Sequence, residues 1–191
     1  MAAFFTPAET AAVEALAERI FPAAPGSPGA IELGVAGYID AQLAGPWGQG
    51  AQMYRKGPFV QAQDAGHGWQ SPLTPAEVYR SCLRSLDDAA RRLHGAPCAD
   101  LGADHLDAVL TALAGGELED FREVGGPAFF GMLRQNVIEG LFADPVHGGN
   151  RDMGGWRWIG YPGVASAHGA DYQREVARHG VPYAPEPSSL R

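Results

Sequence analysis

Between Thr74 and Leu93, apolar residues return with a period near 3.6: Val78, Tyr79, Cys82, Leu83, Leu86, Ala90 and Leu93. On a helix this spacing puts them on one face, so the segment has to pack as a long amphipathic helix. Thr74-Pro75-Ala76-Glu77 supplies the start. Threonine serves as N-cap, proline takes the first helical position, and glutamate three residues after the cap reaches back to the cap amide. The same four letters at Thr6-Pro7-Ala8-Glu9 precede Val13, Leu16, Ala17 and Ile20, with Pro22 ending the run. The segments after the two copies do not match, so the repeat is a shared capping solution and not a duplication.

Three further helical stripes follow. Ile31, Val35, Tyr38, Ile39 and Leu43 run up to Gly45-Pro46, and a short helix from His105 to Leu113 closes at Gly115-Gly116. Pro127 to Phe142 carries Phe130, Leu133, Val137, Leu141 and Phe129 as inward positions. No segment alternates as a half-buried strand would. The expectation is all-α: a single irregular helical domain of about five to six helices, with long ordered loops and an extended C-terminal strap. One loop is Pro46 to Pro72; the strap is the proline-rich stretch from Gly180, preceded by one helical turn around Asp171 to Ala177.

Composition removes several classes of function. The net charge is -8, with 14 Lys+Arg of which Lys56 is the sole lysine, too few for a phosphate-neutralising stripe, so nucleic acid is excluded as a partner. No apolar run reaches the roughly 18 residues that span a bilayer, so membrane contact has to be indirect. Neither GxGxxG nor GxxxxGK[ST] occurs, and no serine sits in a GxSxG elbow. Cys82 and Cys98 fit no zinc or CxxC pattern; free thiols, a mutual bridge and a bridge to a partner all remain open.

The unusual chemistry lies in Asp144 to Gly163, "DPVHGGNRDMGGWRWIGYPG", with six glycines, two prolines and two tryptophans in twenty residues. This reads as an ordered loop, too aromatic for a linker. Trp47, Trp69, Trp156 and Trp158, with Tyr54, Phe59 and Tyr161, gather in the two loop regions, and Trp, Tyr and Arg dominate interface energetics. The candidate partner interface is therefore Trp47, Tyr54, Phe59, Asp144, Asn150, Arg151, Asp152, Trp156, Trp158 and Tyr161. The glycines are expected to turn the backbone sharply and project the large side chains outward. Asn150 and Asp152 are expected to hydrogen-bond within the loop, and Arg151 to anchor an ion pair. No catalytic, cofactor-binding or metal residue is expected in this chain.

"FADPVHGGNRDMGGWRWIGYPG" (Phe142 to Gly163) resembles the terminal signature of the gluconate 2-dehydrogenase subunit 3 family. "LAERIFPA", "GVAGYIDAQLAGPWG", "YRKGPF" and "PLTPAEVYR" match upstream in register, so the likeness covers about residues 5 to 163. The resemblance implies a small subunit that carries no flavin. It would bind, stabilise and help mature a glucose-methanol-choline-type catalytic subunit holding FAD in a membrane-associated or periplasmic sugar, polyol or sugar-acid dehydrogenase. A cytochrome c subunit is a further partner, with haem or an iron-sulfur cluster as further cofactors of partner subunits. The domain limits are expected at 1–163 for the helical small-subunit domain and 164–191 for a C-terminal extension, which lies outside the resemblance and, with too few apolar residues to bury on its own account, is expected to pack on a partner. The resemblance implies a periplasmic protein, in mature form, in preference to a cytoplasmic one; the family's twin-arginine signal does not precede "MAAFFTPAE", which argues against export unless that signal was removed. Two readings of other classes stand beside this one: a stand-alone metal-assisted enzyme using Asp144, His147 and Asp152, and a free-standing scaffold.

Overall fold

The computed structural model describes residues 3–59, 71–121 and 124–161. Among the described residues there are six α-helices and no strand: α1 (Pro7–Ile20), α2 (Val35–Ala44), α3 (Pro75–His94), α4 (Ala103–Gly115), α5 (Gly126–Phe142) and α6 (Gly154–Ile159). The all-α expectation holds. The helical turn at Asp171 to Ala177, the C-terminal strap, Trp69 and Gly163 lie outside the described residues. Two compact units divide the chain: residues up to Leu16 with Asp40–Leu133, and Ala17–Ile39 with the residues from Arg134 onward.

In the first unit both TPAE segments form the reciprocal capping box that their spacing predicts. The Thr74 amide donates to Glu77 Oε2 at 2.7 Å while Glu77 N–H donates to Thr74 Oγ1 at 3.2 Å. At α1 the Thr6 amide donates to Glu9 Oε2 at 2.8 Å and Glu9 N–H returns to Thr6 Oγ1 at 3.3 Å. Arg80 of α3 then ties the α1 cap to its own helix: its guanidinium donates to Glu9 Oε2 and to the Phe4 carbonyl, and lies 4.1 Å over the Phe4 ring. Below this clamp, fully buried Tyr79 meets Phe129 edge-on at 5.4 Å, and Leu86, Leu113 and Leu133 complete the apolar interior.

Three inward assignments change. Leu93 is exposed because the buried stripe of α3 ends at Ala90, one turn before the left-handed cap at Gly95. Phe129 is the fully buried phenylalanine of α5 and Phe130 is only partly covered. Ile31 is exposed and precedes α2, which starts only after Gly34 at φ +70. Cys82 and Cys98 are both buried and neither forms a disulfide. Burial, reinforced by the Asp87 carboxylate, pushes the Cys98 thiol up to about 12, so it stays protonated and behaves as a small core residue.

In the second unit, Gly140 of α5 lets Tyr38 and Val35 of α2 come close, and Tyr38 Oη donates to Glu139 Oε2 at 3.3 Å. Burial first, then that carboxylate, raises the Tyr38 phenol to about 12. Glu18 organises the segment before α2 by accepting the amides of Ala23 and Ile31, both at 2.9 Å.

Burial works to raise the Glu9 carboxyl, but hydrogen bonds from Arg80 and Thr6 outweigh it and hold the group below its ordinary value of 4.5. A carboxylate depressed in the folded state contributes stability that is complete above 4.5 and is lost as pH falls through the lower folded value. Urea midpoints should therefore drop as pH falls from 4.5 through the lower folded value, and Glu9→Gln should flatten the drop. An unchanged acid limb would show that the clamp is energetically silent.

Candidate functional site

The segment after α5 is more structured than its glycine content suggests. A 3-10 turn at Pro145–His147 and a second at Arg151–Met153 lead into α6. Asp144 caps the first turn, its Oδ1 accepting the Val146 amide at 3.1 Å. The reading of the whole stretch as loop was thus wrong for Gly154–Ile159, where six residues form a helix despite two leading glycines.

Asn150 holds the segment together. It is wholly buried, at φ 46, in the left-handed region that asparagine tolerates better than most residues. Its backbone N–H donates to Gly140 O at 2.8 Å, and its Nδ2 donates to Ala143 O at 2.9 Å. Its Oδ1 accepts the amides of Gly155 at 2.9 Å and Trp156 at 3.3 Å. One side chain therefore caps the start of α6 and binds the chain just beyond the end of α5, both places where a helix leaves backbone groups without internal partners. The Trp156 indole adds a second tie, Nε1 donating to Phe142 O at 2.7 Å.

Such close docking of backbone on backbone requires glycine at two positions. A Cβ on Gly149 would stand 2.3 Å from Gly140 O, and one on Gly155 would stand 2.1 Å from Leu141 O. Neither neighbour is a flexible side-chain tip that could move aside.

The expected interface residues separate by burial. Trp156 is 5% exposed and Asn150 is 0%, so the expectation that the glycines project Trp156 outward is corrected: both residues are spent inside the chain. Trp158 is 44% exposed, with one edge against Phe21 at 5.4 Å; Tyr161, also exposed, leans on Trp156 at 5.1 Å. Successive helical residues are 100° apart, so Trp156 and Trp158 point to opposite sides, and one must face out when the other faces in. Arg151 and Asp152 are exposed. The Arg151 amide donates to Leu33 O at 3.0 Å and its guanidinium lies over Gly34. Asp152 makes no hydrogen bond or ion pair among the described residues, which corrects its reading as a loop-internal hydrogen-bonder.

In the first unit, Tyr54 and Phe59 are exposed, Trp47 is half-buried, and Tyr54 Oη donates to Gly57 O at 3.0 Å. Asp144, His147 and Asp152 do not assemble a metal site: among the described residues no group of three or more His, Cys, Asp or Glu could hold an ion. Sequence reasoning missed exposed Ile159 and the groove beside α6. This open groove, of about 570 Å³, is lined by Ala24, Pro28, Glu32, Arg157 and Trp158 among others. The Pro25-Gly26 turn signal marks one wall, but nothing in the sequence reports that it faces α6.

Residues 7–163, and with them the Thr74 capping box and the Asn150 segment, match the family described as gluconate 2-dehydrogenase subunit 3. The chain belongs to the gluconate 2-dehydrogenase subunit 3 family. No curated protein and no solved structure matches it. This member of the family has no helix among its described residues long and apolar enough to cross a membrane.

Asn150→Ala should cost about 3 kcal/mol or more of unfolding free energy, since it strands the Gly155 and Trp156 amides and the Ala143 carbonyl. Trp156→Phe keeps most of the ring but loses the bond to Phe142 O, for about 1 to 2 kcal/mol. Chemical denaturation of the two variants checks both. Wild-type stability for Asn150→Ala would remove the residue from its central place.

Proposed function

We propose that the chain is a non-catalytic small subunit that binds, stabilises and helps mature the FAD-containing catalytic subunit of a sugar, polyol or sugar-acid dehydrogenase, membrane-associated or periplasmic. Family membership over residues 7–163 carries this reading. The partner is a flavoprotein of the glucose-methanol-choline type, with a cytochrome c subunit as a further member of the complex. FAD, and any haem or iron-sulfur cluster, reside in those partners, and the mature chain works in the periplasm.

The surface chemistry supports an accessory role. Trp158, Ile159 and Tyr161 in the second unit and Tyr54 and Phe59 in the first are large apolar side chains left open to solvent. Grouped exposed aromatics mark interaction surfaces more often than they mark bare solvent-facing ones. Trp158 and Arg157 also line the groove beside α6, where a partner side chain could seat between an aromatic face and a guanidinium.

Co-expression tests the proposal. With the flavoprotein subunit present, the two chains should copurify in equal amounts, with flavin absorbance following the large chain, and the large chain made alone should lose most of its soluble yield. Equal solubility and turnover of the large subunit without this chain would contradict the assembly role. Dehydrogenase activity in the isolated small chain would contradict its non-catalytic assignment.

A further inference from the structure

The groove beside α6 has two fixed walls. One is the turn at Ala24 to Ser27, closed by Ser27 N–H on Ala24 O at 2.9 Å and Ala24 N–H on Ser27 O at 3.1 Å, and tied to α1 through Glu18, which accepts the Ala23 amide. The other is α6, where Trp158 is steadied edge-on against Phe21 at 5.4 Å. The indole is still 44% exposed, and Pro28 lines the groove with it. Arg157, at the same wall as Trp158, makes no hydrogen bond or ion pair among the described residues. A fixed aromatic beside a proline, with a cation next to it, is the chemistry that receives a polyproline II segment: prolines stack on the ring, and an acidic neighbour pairs with the cation.

The chain carries such a segment itself. Residues 181–187, "VPYAPEP", hold Pro182, Pro185 and Pro187, with Glu186 between the last two. At three residues per turn, Pro182 and Pro185 share one face of a polyproline II helix. The segment is also attached beside the groove: α6 ends at Ile159, and Tyr161, whose N–H donates to Trp156 O at 2.8 Å, stands three positions after Trp158. Val181 lies twenty positions beyond Tyr161, and that much chain spans roughly 25 Å on average even with no structure of its own. A tether of this reach gives an effective concentration on the order of millimolar. At equal affinity, a second copy or another protein has to be that concentrated to compete, so the attached segment takes the groove first.

We propose that residues 181–187 occupy the groove beside α6 of the same chain, with Pro182 and Pro185 against the Trp158 indole and Glu186 paired with Arg157. This goes beyond the accessory-subunit reading and does not depend on it. In the free chain the strap has a seat of its own, and a flavoprotein side chain that takes the groove has to displace it.

The full-length chain tests this. Cys82 and Cys98 are buried, so a nitroxide reagent modifies the thiol introduced by Ser189→Cys. In an isotopically labelled, dilute sample, the Ser27 amide and Trp158 indole N–H signals should lose most of their intensity relative to the same chain with the nitroxide reduced. Adding Pro182→Ser and Pro185→Ser should restore both signals several-fold. Nitroxide-bearing chain mixed with isotopically labelled chain that has no nitroxide should leave both signals intact. Intensity lost in the mixed sample would put the strap of a second copy in the groove and overturn the proposal. Full intensity at both signals in the dilute sample, or a loss that the proline substitutions leave unchanged, would overturn it as well. The flavoprotein is in none of these samples, so a failure here leaves the accessory reading standing.

Discussion

A single buried amide, that of Asn150, holds the second unit's terminal segment in place. A polar side chain with no exposure is tolerable only when its donors and acceptor are all engaged, because each unsatisfied group would carry the full cost of leaving water. Here they are engaged with the tail of one helix and the head of another: Ala143 O beyond α5, and the Gly155 and Trp156 amides in α6. Neither helix end would be satisfied by its own residues. Gly149 and Gly155 are glycines because this arrangement brings backbone within 2.3 and 2.1 Å of where their Cβ atoms would stand.

The same bonds divide the loop's side chains into two jobs. With α6 fixed at its first turn, Trp156 turns inward to reach Phe142 O, and Trp158, 200° further round the helix, is left facing out beside Arg157. The Asp152 side chain is carried on the left-handed turn that leads into α6, outside the internal hydrogen-bond network. The buried tie and the exposed surface are thus consequences of one geometry. In the first unit the corresponding constraint is Arg80, whose guanidinium joins the α1 cap at Glu9, the Phe4 carbonyl and the Phe4 ring.

Local signals in the sequence carried most of the helices. Both TPAE boxes formed as their spacing required, Pro7 and Pro75 open α1 and α3, and Gly116 closes α4 in the left-handed conformation. Leu93 and Ile31 were misjudged because periodicity reports that a residue lies on an apolar stripe, not that another element covers it there. The α6 helix was hidden by its composition: two glycines and two tryptophans have no strong helix preference, and its start is stabilised by a residue four positions upstream of Gly154. For the same reason Asn150 and Trp156 looked like surface anchors. Their burial depends on a fold-back onto the end of α5, whose bonding partners lie only 7 to 14 positions upstream but which no periodic pattern reports.

The division between an internal tie and an external surface is tested most directly by amide hydrogen exchange on the chain alone and bound to the flavoprotein. The Gly155 and Trp156 amides, held by Asn150 Oδ1, should be protected in the free chain and change little on binding. Arg151 to Met153 and Trp158 to Tyr161 should gain protection in the complex beyond what their own bonds, such as Arg151 N–H on Leu33 O and Tyr161 N–H on Trp156 O, give the free chain. Rapid exchange at Gly155 and Trp156 in the free chain, with protection appearing there only on binding, would mean that the partner and not Asn150 orders the segment.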